Sequence, residues 1–226
     1  MLGQTVQLLA ISAIPILLAV TLHEAAHGYV AELFGDDTAR LQGRISLNPL
    51  RHVDPFGTIL LPGLLLLSGT GFLFGYAKPV PVNFRRLRNP RRDMVWVAFA
   101  GPAMNVMLAV VAGLLYHGLG FLPRGVVDWA EGNLVNMIVF NVMLGLFNMV
   151  PIPPLDGGRV AVGLLPDRLA FPLARLERVG IFIVIGVFFL LPMLGRQLGI
   201  DLDVSRWLVD AAEAVSKGIW TLTGNG

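Results

Sequence analysis

The sequence predicts an all-α integral membrane protein. The expected form is a polytopic helical bundle with about four spanning helices, one re-entrant apolar hairpin flanked by short β-strands, and a C-terminal amphipathic helix. Three observations predict it. Of the 226 residues, 55% are hydrophobic and only 14% are charged, where soluble domains carry about a quarter, and mean hydropathy is +0.70. Five stretches are long and apolar enough to be membrane elements, against the roughly 20 residues a spanning helix needs. One of the five is split by a Pro-Gly pair into halves too short to span. A net charge of +2 with no cysteine argues against nucleic-acid binding and excludes a thiol nucleophile, a thiolate metal site and any disulfide.

The first apolar stretch runs from about Thr5 to Phe34, with Pro15 inside it, and Gly35-Asp36-Asp37 stops it. Ala39 to Leu47 alternates loosely and predicts a short strand before the turn Asn48-Pro49. The second stretch, Phe56 to Ala77, has no charge but is broken at Pro62-Gly63. Lys78-Pro79-Val80-Pro81-Val82 is extended by its prolines, a second short strand, and leads into a run holding Arg85, Arg86, Arg88, Arg91 and Arg92. The third stretch, Met94 to about Leu119, contains Gly101-Pro102-Ala103-Met104-Asn105. The fourth, Leu134 to Val150, carries Asn136, Asn141 and Asn148, and a Pro-Pro-Leu-Asp-Gly-Gly turn ending at Gly158 follows it. The fifth runs from Val179 to Gly195. Trp207, Leu208, Val215 and Trp220 alternate with Asp210, Glu213 and Lys217, the pattern of an amphipathic interfacial helix. Residues 1–195 thus form a membrane domain with its core at 5–160, and 196–226 an interfacial segment.

Chemistry concentrates in the first stretch, at His23-Glu24-Ala25-Ala26-His27. On a helix the two histidines lie one turn apart on one face, so both imidazoles reach one metal ion. Glu24 projects beside them, placed to take a proton from water without being a ligand. From Gln4 to Phe34 the only acidic or basic side chains are Glu24 and Glu32. A charge within a membrane helix costs roughly 2.5–3.5 kcal/mol on insertion scales and points to function. A catalytic zinc needs a third protein ligand. His52, His117, Asp54 and Asp156 are the candidates. Asp156 is favoured because the prolines before it unwind the chain, although a plain loop aspartate capping a turn reads equally well from that residue alone. Asn105 suits a bond across a helix interface as well as a substrate contact, Gly101 suits close packing, Asn141 reads as structural and His117 as interfacial.

Three motifs in apolar settings, His23 to His27, Gly101 to Asn105 and Asn148-Met149-Val150-Pro151-Ile152-Pro153-Pro154-Leu155-Asp156-Gly157, resemble the site-2 protease family of intramembrane zinc metalloproteases, in its short form without a PDZ or other regulatory domain. The resemblance implies one zinc ion per chain held by His23, His27 and Asp156, with Glu24 as the catalytic base and Asn148 holding substrate or the tetrahedral intermediate. It implies hydrolysis of a peptide bond within or beside the transmembrane segment of a membrane-protein substrate, in a prokaryotic cell membrane. The partners are then substrate helices and the lipid bilayer.

Parity constrains the topology. The histidines lie near the end of the first stretch and Asp156 follows the fourth, so a shared ion requires those ends on one side of the bilayer. One stretch between them therefore does not cross, and Pro62-Gly63 marks the second. With that topology, residues 35–54, 74–93 and 156–178 share a side and hold 13 of the 17 Lys and Arg. The positive-inside rule makes that side cytoplasmic, so the zinc opens toward the cytoplasm. The alternative is a membrane metal transporter or metal-binding scaffold without proteolysis, which leaves Glu24 without a role.

Overall fold

Among the described residues, four helices are long and apolar enough to cross a bilayer: Val6–Leu33, Pro90–Phe121, Arg124–Asn148 and Gly180–Leu198. They appear in a computed structural model that describes residues 2–46, 48–60, 64 and 78–226. In chain order the helices are α1 (Leu2–Leu33), α2 (Thr38–Leu41), α3 (Pro90–Tyr116), α4 (Arg124–Asn148), α5 (Asp156–Leu164), α6 (Asp167–Arg175), α7 (Gly180–Leu198) and α8 (Val204–Leu222). A 3-10 turn, His117–Phe121, continues α3, and α7 passes through a π-helical turn at Gly186–Leu190.

Local chemistry sets the ends of these helices. Gly35, at φ +107°, takes the left-handed position after α1. Its N–H donates to Glu32 O and that of Asp36 to Ala31 O, which satisfies the last carbonyls of the helix. Pro90 opens α3, where its missing N–H costs nothing, and the buried Asp93 reaches back to accept from the Asn89 N–H at 2.7 Å.

The helices α1, α3 and α4 each pack against the other two. Small residues allow the approach: Ala19, Ala25, Ala26 and Ala31 on α1 and Ala98, Ala109 and Ala112 on α3 are buried. Side-chain amides tie the backbones together, with Asn136 Nδ2 donating to Ile11 O at 3.0 Å. Large apolar side chains face outward, among them Leu8, Leu9, Val106, Met107, Phe182 and Met193, the arrangement expected where the surrounding medium is hydrocarbon. The C-terminal amphipathic helix is present as α8. Its Ala212 and Ile219 pack with Ala109, Ala112, Ile138 and Val142, and its Leu208 with Val184 and Phe188. His117 Nε2 bonds to Thr223 O at 2.6 Å, closing the end of α8 on the end of α3.

The flanking β-strands are not found: the described residues contain none. In place of a strand from Ala39, Thr38–Leu41 forms one helical turn, started by Asp36, whose Oδ1 accepts from the Thr38 N–H and hydroxyl. Residues 78–83 have no regular secondary structure and pair with no ladder. Pro79 and Pro81 lack the N–H a ladder needs, and side chains hold the segment instead. Arg44 Nη2 donates to Lys78 O at 2.7 Å, and Glu24 Oε2 accepts from the Val80 N–H at 2.7 Å.

The re-entrant hairpin expected at Phe56 to Ala77 falls largely outside the described residues. Its opening turn, Pro55–Leu60, is π-helical, and Asp54 Oδ1 accepts from the N–H groups of Phe56 and Gly57. Where the connection starts and returns is clear. The Arg88 N–H donates to Phe34 O at 3.0 Å, and Arg86 pairs with Asp37 at 2.7 Å. The chain leaves α1 and enters α3 at the same end of the bundle.

Candidate metal centre

The end of the bundle where α1 finishes and α3 begins also receives the turn after α4. His23 and His27, one turn apart on α1, bring their Nε2 atoms to 3.0 Å from each other. Asp156, the first residue of α5, places Oδ2 at 3.2 Å from His23 Nε2 and 3.3 Å from His27 Nε2. All three side chains are buried. The prolines of 151–154 keep the chain non-helical between Asn148 and Asp156, and so carry the carboxylate back to the bundle.

Hydrogen bonds on the far side of each ring fix what these atoms offer. His27 Nδ1 lies 2.7 Å from Val97 O, and His23 Nδ1 lies 2.6 Å from Asn105 Oδ1. A carbonyl oxygen only accepts, so each Nδ1 carries the hydrogen and each Nε2 is left with a bare lone pair. Two lone pairs thus converge on a carboxylate oxygen that itself accepts no hydrogen bond among the described residues. Without a cation this arrangement is repulsive. Tetrahedral zinc, with bonds of about 2.0–2.1 Å, sets its ligand atoms about 3.3 Å apart, close to the three distances seen. Two imidazoles and one carboxylate also leave a fourth position for water or substrate. The residues fit a zinc ion.

The helix α3 makes room for that ion. A Cβ at Gly101 would stand 2.5 Å from His27 Nε2 and 2.6 Å from His23 Nε2, inside the space where the ligand atoms converge. Burial alone would push the Asp156 carboxyl up. Imidazoles that carry hydrogen on Nε2 as well outweigh it and hold the carboxyl well below the usual carboxylate range.

Of the residues expected in the site, His23, His27 and Asp156 come together. Glu24 is half-buried beside them, its carboxylate fixed through Oε2 by the Val80 N–H. Asn148 closes α4, half-buried, with Nδ2 donating to Leu144 O at 3.0 Å. No hydrogen bond joins it to the other three among the described residues. His52 is buried but bonds to Ser46 O at 2.9 Å through Nε2, and neither it nor Asp54 belongs to the metal group. Asn105 bonds across the helix interface, and its partner there is a metal-facing histidine. That role escaped the sequence reading. The available signal was chemical: a ligating imidazole needs an acceptor on its other nitrogen, and Asn105 lies one turn from Gly101 in an otherwise apolar helix.

Fold and site together define a polytopic membrane protein with a buried His-His-Asp group that could hold a metal ion and an adjacent glutamate. Comparison with known proteins agrees. The model of peptidase family M50 matches residues 11–123 and 126–193, and the chain belongs to that family, the site-2 proteases. It is 41% identical over 184 residues to "putative zinc metalloprotease YwhC" of Bacillus subtilis, covering 80% of each chain. It is 31% identical over 196 residues to "putative zinc metalloprotease Rip2" of Mycolicibacterium smegmatis, covering 86% of this chain and 71% of the relative. The Rip2 of Mycobacterium tuberculosis is 30% identical over 235 residues, covering 97% and 86%. No solved structure matches significantly. The protein is a membrane zinc metalloprotease.

Proposed function

We propose that this protein is an intramembrane endopeptidase that cuts a peptide bond within or next to the transmembrane segment of membrane-protein substrates. The observation that carries the reading is the convergence of His23 Nε2, His27 Nε2 and Asp156 Oδ2, at 3.0–3.3 Å, between apolar helices. These three would hold a zinc ion, which would supply Lewis acidity to a water and to the scissile carbonyl. Val97 O and Asn105 keep the imidazoles in the ligating tautomer. Glu24, with Oε2 held by the Val80 N–H, takes the proton from the attacking water at its other oxygen and hands it to the departing amine. Asn148, eight residues before Asp156, steadies the substrate carbonyl as it becomes tetrahedral. An intact substrate helix hides its carbonyls in its own hydrogen bonds, so the segment unwinds before attack.

The excess of Lys and Arg in 35–54, 74–93 and 156–178 supports a centre that opens to the cytoplasm of a prokaryotic cell. The test is to incubate purified protein with single-span substrates, with and without a zinc chelator, and to map products by mass. Chelator-sensitive cuts in or beside the span are expected. Metal flux in vesicles with no cleavage of any substrate would replace the reading with a transporter.

A further inference from the structure

The metal centre has a directional chain of hydrogen bonds behind it that reaches well into α4. His23 Nδ1 meets Asn105 Oδ1 at 2.6 Å, Asn105 Nδ2 donates to Asn141 Oδ1 at 2.8 Å, and Asn141 Nδ2 donates to Met137 O at 2.8 Å. Asn105 Nδ2 also lies 3.3 Å from Ala19 O. Both asparagines are fully buried, at 0% exposure, which shields these partners from bulk water.

We propose that Asn141 is a positioning residue for the zinc site, acting through Asn105 to set which nitrogen of His23 faces the metal. An amide side chain has one accepting and one donating end, and the anchor of this chain, a backbone carbonyl, cannot donate. Met137 O therefore turns the NH2 of Asn141 toward itself and the oxygen of Asn141 toward Asn105. That oxygen, with Ala19 O, turns the NH2 of Asn105 inward and the oxygen of Asn105 toward His23. His23 then keeps its hydrogen on Nδ1 and presents Nε2 bare. Reversing either amide would face two donors or two acceptors somewhere along the chain, in a medium where an unmet polar group is costly. Two asparagines that only glued α3 to α4 would need no common direction.

The inference rests on the reading of His23, His27 and Asp156 as zinc ligands, and metal binding tests the two separately. Zinc affinity is measured by competition with a chromophoric chelator, and site geometry by the visible absorption of the cobalt-substituted protein. Asn105→Leu is expected to weaken zinc about 10–100-fold, the usual loss when a ligand's orienting partner is removed. Asn141→Leu is expected to weaken it about fivefold, since Ala19 O still holds Asn105, and to alter the cobalt spectrum. Asn141→Asp, whose neutral carboxyl keeps an acceptor toward Asn105 and an O–H toward Met137 O, is expected to restore most of the affinity. Because Asn141 acts through Asn105, Asn105→Leu/Asn141→Leu should bind zinc as Asn105→Leu does. Thermal unfolding of the metal-free variants separates lost packing from lost positioning. Wild-type affinity and spectrum in Asn141→Leu, or additive losses in the double variant, would overturn the relay alone. Failure of the unaltered protein to bind zinc would overturn the ligand reading and the relay with it.

Discussion

Gly101 on α3 meets His27 on α1 so closely that the smallest side chain would stand 2.5 Å from Nε2. Gly101→Ala should therefore leave a helical, membrane-inserted protein that no longer retains zinc, with affinity lower by at least about 100-fold. Metal content of the purified variant, compared with its circular dichroism, checks this. Full zinc occupancy in Gly101→Ala would show that α3 does not shape the ion's space.

Glu24 differs from its neighbours in that its Oε2 accepts from a backbone N–H and it lies outside the metal group. Glu24→Gln should keep zinc and lose cleavage by about 10²–10⁴-fold, the range a general base supplies. Asp156→Asn should lose zinc instead, because it removes the anion that offsets the cation. Cleavage that survives in Glu24→Gln would refute the assigned base.

Zinc should stabilise the fold as well as act in it, since the unfolded chain has no preformed site. A ligand at a hundred times its Kd adds about 2.7 kcal/mol. Removing zinc should lower the Tm of the unaltered protein by several degrees and leave that of His27→Ala unchanged. Calorimetry in detergent with and without chelator measures both.

The buried Arg44 holds the carbonyls of Lys78 and Pro79 and so keeps the Val80 N–H on Glu24. Arg44→Ala should free the segment. Hydrogen exchange at the Val80 amide is expected to speed up by about tenfold or more, as befits loss of a bond to a charged acceptor, and kcat should fall while zinc content holds. Unchanged exchange at Val80 would mean that the segment is held by packing alone.

The absence of native cysteine makes the orientation easy to measure. Arg92→Cys and Arg124→Cys, at the starts of α3 and α4, should react with a membrane-impermeant thiol reagent from opposite sides. The proposed topology puts Arg92 on the cytoplasmic side.

Much of the site was legible in the chain because its strongest signals are local. His23 and His27 are four residues apart, so any helix brings them to one face, and Gly35 ends that helix where the left-handed turn requires glycine. Asp156 was less legible, with a loop cap an equal reading until the neighbouring motifs were weighed. The strands were misread for a definite reason. The prolines at 79 and 81 signal extension but also remove the donors of a ladder, and Asp36 turns the following residues into helix. The partners of Lys78–Val82 are Arg44, Glu24 and the His52 carbonyl, all distant in sequence.

By itself the sequence determined the medium, the helices and the paired imidazoles, because hydropathy and a 3.6-residue period act over neighbouring residues. Tertiary structure alone decided how closely the Asp156 carboxylate meets the two imidazoles, which carbonyls hold the ring hydrogens, and that Asn105 and Asn141 stand behind His23. Those depend on where α3 and α4 lie against α1. A hydrogen bond or a coordination bond requires two atoms within about 3 Å, and a linear pattern does not specify such distances between residues 36 or more positions apart.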